Sequence, residues 1–202
     1  DCSQWEDIWL SASSKLQEWD IVHEVAKFCG RDDASLDSIW RTSDWTQPET
    51  LRIVSNLRKP PSAFGLRNAV FDTYVALEGL KSNPESASEV SSVIEAGIQT
   101  CLRGWDAIPR LHTGAHQVFL HHFQMFVEMY ETSSLYAALG AGGPALMRPQ
   151  FLSELKGVLL SWRERLPSKW DDVDLWSDIL AWRQHVFSSL NQSFMSSDTV
   201  LG

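Results

Sequence analysis

Apolar residues recur every three or four positions along most of this chain, which is the spacing of one face of an α-helix. The segment from Phe119 to Tyr130 is the clearest example. Glycine and proline mark the ends of such segments, as at Gly30 and Pro109. The pattern predicts about nine helices and no strand, with the fourth helix within 46–57 and the last two near 149–166 and 174–190.

Two stretches are predicted to lie outside helices. The first is 140–144, which is rich in glycine and ends in Pro144, and both residue types disfavour a helix interior. The second is the polar end of the chain at 195–202, which we expect to be a frayed tail.

Most of the ten tryptophans fall at helical spacing beside aliphatic residues. Trp5, Ile8 and Trp9 form such a stripe in the first predicted helix. Packing in the core is the common reason for this arrangement, so we expect most tryptophans to be buried rather than to form a stacking surface for sugars or bases.

Short sequence echoes indicate repeated helix pairs. The pattern L-x-x-W-D occurs at 16–20 and again at 102–106, and W-x-D-I occurs at 5–8 and at 176–179. A single helical hairpin cannot bury its apolar face alone, so repeated hairpins stack on one another. We therefore predict an all-α fold of antiparallel helix pairs stacked as a degenerate TPR-like or HEAT-like α-solenoid. The spacing between echoes is irregular, and a compact helical bundle is the alternative.

The composition narrows the class of protein further. The chain has 202 residues, the size of a single domain, and it begins with Asp1, so we expect one helical segment, 1–202, excised from a longer protein. Its net charge of -9 disfavours direct binding of nucleic acid, and the sequence has no apolar run long enough for a membrane span. The three cysteines, Cys2, Cys29 and Cys101, form neither a disulfide framework nor a CxxC zinc motif, which fits a reducing compartment.

Motifs for catalysis are missing from the sequence. It contains no G-x-S-x-G, P-loop, G-x-G-x-x-G or protein-kinase motif. The glycines at 140–143 follow a helical segment rather than a strand, and Pro144 removes a backbone donor that a phosphate would need. We therefore predict that the chain is not an enzyme, has no catalytic residue and binds no cofactor.

Four histidines and three aspartates are the remaining candidates for metal binding. His112 and His116 would lie one helical turn apart, close to His121 and His122, but position 113 is Thr113 where an HExxH site needs glutamate. A small helical metal-binding protein using His112, His116, His121 and His122 is thus a minor alternative, and structural histidines are the expectation. The acidic cluster Asp171, Asp172 and Asp174 is expected to cap a helix.

Four strings carry a resemblance to a known family: KLQEWDIVHEVAKF, SIWRTSDW, HQVFLHHFQMFVEMYETSSLYAAL and LLSWRERLPSKWDDVDLWSDILAWRQHVF. Together they resemble the FAT region of the transformation/transcription domain-associated protein family, whose members are pseudokinase relatives of the phosphatidylinositol-3-kinase-like kinases. The resemblance extends from about Trp5 to Phe194 and is most specific from Leu155 to Phe187.

The resemblance implies a non-enzymatic scaffold in the nucleus. It implies a segment that holds histone acetyltransferase complexes of the SAGA type together and helps recruit them through transcription activators. The implied partners are the kinase-like domain and the rest of the parent chain, subunits of the coactivator complex and transcription activators. The FAT regulatory segment of an active kinase of the same superfamily is the alternative, which downstream kinase motifs would distinguish.

One site can be proposed from the most specific string. Trp182, Arg183, Gln184 and His185 combine an aromatic ring with polar neighbours near the end of the predicted solenoid. We expect these four residues to form a docking surface for a neighbouring domain, in which case Arg183→Glu would weaken docking without unfolding the segment.

Overall fold

The computed structural model describes residues 2–42, 52–53, 65–141 and 143–200. They belong to two compact units, Asp1–Phe64 and Gly65–Gly202. Within the described ranges every regular element is helical and there is no strand, so the predicted all-α solenoid class is confirmed. No helix in these ranges is both long and apolar enough to cross a bilayer. Of the helix predicted within 46–57, all but residues 52 and 53 lies outside the described ranges.

The first unit contains helices α1 (Cys2–Lys15), α2 (Trp19–Cys29) and α3 (Asp32–Thr42). Gly30 ends α2, as predicted, because its φ of 66° lets the Arg31 N–H reach back to the Ala26 carbonyl at 2.8 Å. Arg31 then pairs with Asp33 at the start of α3, which lowers the pKa of the Asp33 carboxyl. The connection between α2 and α3 is therefore short and fixed.

The packing of α1 contradicts our expectation that its tryptophans are buried. Leu10 packs with Val22 and Ala26 of α2. Trp5 is 74% exposed, and Ile8 and Trp9 are exposed as well. The tryptophan stripe therefore faces away from the α2 contact, because α1 packs through the face that carries Leu10.

The second unit contains six α-helices among its described residues. They are α4 (Gly65–Ser82), α5 (Ala87–Ala107), α6 (Gly114–Ala141), α7 (Gly143–Leu146), α8 (Pro149–Glu164) and α9 (Val173–Val200), with a 3-10 turn at Pro84–Ser86 before α5. The Asn83 side chain accepts the Glu85 N–H and so caps the start of this turn. The end of α5 at Ala107 matches the stop predicted from Pro109.

Helix α6 is the centre of the second unit. It packs against α4 and α5 and also against α7, α8 and α9. A helix that contacts the two helices before it is typical of stacked helix pairs, in which each pair buries the apolar face of the next pair. Phe126, Met129 and Tyr136 of α6 are completely or almost completely buried.

Two predicted non-helical stretches are corrected. Gly140 and Ala141 belong to α6 and residues 143–146 form α7, so the predicted loop at 140–144 is wrong for the described residues. The glycine at position 140 allows α6 to lie close to the end of α4: a Cβ at Gly140 would lie 2.7 Å from the Leu80 carbonyl oxygen. Helix α9 continues to Val200 rather than ending near Leu190, and Phe194 within the extension packs on Phe151 of α8.

Candidate functional site

An ion pair lies in the core of the second unit. The Arg183 Nη2 of α9 donates to Glu128 Oε1 of α6 at 2.6 Å, and Arg183 Nε donates to Glu128 Oε2 at 3.1 Å. Glu128 is fully buried and Arg183 is 5% exposed. Such a two-pronged contact satisfies the planar geometry of both groups, which is the condition under which a buried ion pair is tolerated.

Aromatic rings enclose this pair. The Trp162 ring of α8 has its centroid 5.2 Å from the guanidinium carbon of Arg183. The ring centroids of Trp182 and Trp162 lie 6.5 Å apart. The Trp182 ring also meets the Tyr74 ring of α4 edge to face, with 5.8 Å between their centroids. Since these rings exclude water, the attraction between the two charges is stronger than at a surface.

The polar contacts continue towards the loop after α8. Gln124 Nε2 donates to Glu128 Oε1 at 3.1 Å and to the backbone carbonyl of Arg165 at 2.9 Å. The Arg165 guanidinium pairs with Glu131 at 2.8 Å, which raises the pKa of Arg165. Helix α6 therefore holds α9 through Glu128 and the end of α8 through Gln124 and Glu131.

The polar groups of this cluster stabilise the packing of the helices. Both carboxylate oxygens of Glu128 accept hydrogen bonds from protein donors, so the carboxylate is engaged in helix packing rather than presented as a base. Sequence reasoning missed this residue. The sequence signal for Glu128 was its position between Val127 and Met129, in a stretch of mostly apolar residues. A charged side chain that is buried there requires a partner.

The predicted docking surface is corrected by these positions. Trp182 is fully buried and Arg183 nearly so, because both lie on the side of α9 that faces α4, α6 and α8. His185 is half-buried, with its ring 5.4 Å from Tyr74, and only Gln184 is exposed. Docking through Gln184 and His185 stays a prediction, whereas the side chains of Trp182 and Arg183 belong to the core.

The four candidate histidines form two separate pairs. His112 and His116 stack with ring centroids 5.5 Å apart, and His121 and His122 meet edge to face at 5.6 Å. In the part of the chain that the structure describes, no three His, Cys, Asp or Glu side chains are grouped so that they could hold a metal ion. The metal-binding alternative therefore lacks a site in these ranges.

Local contacts give each pair a structural role. His116 Nδ1 accepts the Thr113 N–H at 3.1 Å just before α6, which satisfies a donor that the start of a helix leaves open. His121 is buried, with Nε2 3.4 Å from Asp178 of α9. Desolvation by burial lowers the pKa of His122, whose Nδ1 lies 2.8 Å from the Val118 carbonyl.

The acidic cluster caps α9, as predicted for it. Asp172 Oδ1 accepts the Asp174 N–H at 3.2 Å at the start of α9. Asp171 Oδ2 accepts the Ser168 N–H at 2.6 Å and so closes the turn before the helix.

An apolar groove lies between α5 and α6. It has a volume of about 200 Å³ and is lined by Cys101, Leu102, Trp105, Phe119, Leu120 and Phe123. Burial of Cys101 raises the pKa of its thiol to about 11, so the group stays protonated at neutral pH.

Comparison with known proteins assigns the chain to a family. Residues 33–201 match the family model of the FAT domain. The SAGA complex/NuA4 acetyltransferase complex subunit TRA1 of Saccharomyces cerevisiae is 34% identical over 196 residues, which are 95% of this chain and 5% of that protein.

Further relatives carry similar names. The SAGA complex/NuA4 acetyltransferase complex subunit Tra1 of Schizosaccharomyces pombe is 35% identical over 193 residues, covering 95% of this chain and 5% of the relative. The transformation/transcription domain-associated protein of Homo sapiens is 27% identical over 183 residues, which are 90% of this chain and 5% of that protein. The relatives are named as transcription-associated proteins and complex subunits, not as kinases. The chain spans about one twentieth of the length of these relatives. It belongs to the FAT domain family and is a homologue of the Tra1 and transformation/transcription domain-associated proteins.

Proposed function

We propose that the chain is a non-enzymatic scaffold segment of a transcription coactivator subunit. In this role it holds histone acetyltransferase complexes together in the nucleus and helps recruit them through transcription activators. The observation that carries the proposal is the 34% identity to the TRA1 subunit of SAGA and NuA4 over nearly the whole chain. The contacts among α6, α8 and α9, of which the Arg183–Glu128 pair is buried, support it, because a scaffold has to keep its helices in fixed positions.

The proposal includes the nature of the parent protein and its partners. The chain 1–202 is one helical segment of a much larger pseudokinase, and the family match at 33–201, which crosses both compact units, supports treating it so. Its partners are other regions of the parent chain, including the kinase-like domain, together with subunits of the complex and activators. It binds neither nucleic acid nor membrane directly, and the net charge of -9 supports this part.

Purification of the full-length parent protein tests the proposal. We expect an affinity-tagged parent to co-purify with acetyltransferase subunits in stoichiometric amounts and to transfer no phosphate from labelled ATP to protein. Deletion of the segment should lower the yield of those subunits. Phosphate transfer that a substitution of the downstream catalytic aspartate abolishes would instead support the regulatory segment of an active kinase.

A further inference from the structure

The loop between α8 and α9 presents an exposed tryptophan. Trp170 is 84% exposed, more than any other tryptophan whose side chain the structure describes. Leu166 in the loop and Val173, the first residue of α9, are exposed too. We call Leu166, Trp170 and Val173 the loop tip. Tryptophan is one of the side chains that most often dominate the binding energy of a protein interface.

The loop tip is held in place before any partner binds. The Asp171 N–H donates to the Ser168 carbonyl at 2.9 Å, and the Trp176 indole N–H donates to the same oxygen at 3.1 Å. On the other side of the loop, Gln124 of α6 holds the Arg165 carbonyl at 2.9 Å. Because these contacts fix both ends of the loop, docking Trp170 loses less conformational entropy than docking a free loop.

The charges beside the loop tip indicate the surface that it fits. The Lys169 ammonium lies 4.9 Å from the centroid of the Trp170 ring, and the exposed residues Asp172 and Asp174 follow. With Asp171, the stretch 169–174 carries three carboxylates and one ammonium. A negative tip is repelled by phosphates of nucleic acid or anionic lipid and is complementary to a basic protein surface.

We propose that Trp170 docks into an apolar pocket with a basic rim on another protein subunit of the assembly. The inference rests on the proposed function, because it takes the partner from the complex that the parent protein forms. Trp170 fills the pocket, and Asp172 and Asp174 face its basic rim.

Site-specific crosslinking in the full-length parent protein, purified in its complex, tests this contact. The probe is p-benzoylphenylalanine at position 170, with the same probe at Leu152, which is exposed on α8, as the control. We expect position 170 to crosslink to a peptide of another subunit that lines an apolar pocket beside Lys or Arg residues. Position 152 should not give that product.

Two variants separate the pocket contact from the charge contact. Trp170→Ala in the unlabelled parent should lower the retention of the crosslinked subunit in a wash by about tenfold or more, as expected for a dominant interface residue. Asp172→Asn with Asp174→Asn should weaken retention at low salt and flatten its salt dependence, since asparagine keeps the helix cap without the charge.

Other results would overturn the inference. These are crosslinks only within the parent chain or to nucleic acid, equal products from positions 152 and 170, or unchanged retention with Trp170→Ala. If instead the wild-type parent does not co-purify with acetyltransferase subunits, the proposed function itself fails.

Discussion

Arg183 of α9 donates two hydrogen bonds to Glu128 of α6 in a part of the core that water does not reach, with Trp162 of α8 beside the guanidinium. This one contact joins α6 to α9 across 55 positions of the sequence, and the Trp162 ring adds α8. Its energetic value depends on both charges being present, because either charge alone would be buried without compensation.

Removal of one partner should be costly. We expect Arg183→Met to lower the free energy of unfolding by about 3–5 kcal/mol, since Glu128 would remain buried without its cation. Urea denaturation of the purified chain measures this change. Replacing the exposed neighbour Gln184 by Ala, the control, should change the free energy by less than about 0.5 kcal/mol.

Removal of both partners should be far milder. The double variant Glu128→Leu with Arg183→Met replaces the pair by apolar groups, and we expect it to recover most of the stability lost in Arg183→Met. If the double variant is less stable than Arg183→Met, the ion pair is not the source of the loss.

Two glycines in helices should respond to alanine in opposite directions. At Gly140 a Cβ would meet the backbone carbonyls of Leu80 and Lys81, so Gly140→Ala should lower the unfolding free energy by about 1–3 kcal/mol. At Gly79 nothing lies within 4 Å of the Cβ position, so Gly79→Ala should raise it by up to about 1 kcal/mol. Thermal unfolding of both variants checks the pair, and equal shifts would contradict the close approach of α6 to α4.

Acidification should destabilise the second unit through His122. Burial lowers the pKa of His122 below its ordinary value of 6.5, and His121 and Arg67 act in the same direction. The Val118 carbonyl and Asp178 act in the opposite direction. The unfolded chain then binds the proton more tightly than the folded chain, so stability is present above about pH 6.5 and declines as the pH falls through the folded pKa. His122→Gln should flatten the pH dependence of urea denaturation between pH 7.5 and 5. An unchanged pH dependence in His122→Gln would contradict this prediction.

Cys101 should resist alkylation in the folded chain. Its pKa of about 11 leaves about one thiol in a thousand ionised at pH 8, and the thiolate is the reactive form. We expect iodoacetamide to modify Cys101 at least about 100-fold more slowly in the folded chain than in urea, as measured by peptide mass spectrometry. Equal rates in both states would show that α5 and α6 do not bury this thiol.

The sequence by itself determined the class of structure and the relationship to a family. Helical periodicity, Gly30 and Pro109 are local signals, and the structure has the corresponding helices and ends. The acidic residues before α9 were correctly assigned to helix capping, since a cap involves only backbone groups two or three positions away. The strings that resemble the FAT region also needed no structure, and the family match confirms them.

The tertiary structure alone decided which faces are buried. Periodicity shows that Trp5 and Trp9 share a face, but the packing of α1 through Leu10 leaves that face exposed. Gly140 lies in a helix and close to the end of α4, a contact between positions about 60 residues apart in the chain that only the absence of a Cβ permits. Arg183 and Glu128 are separated by 55 positions, and only the packing of α9 on α6 turns two ordinary charged residues into the centre of the core. Local signals act over a few residues, whereas burial depends on which helices meet.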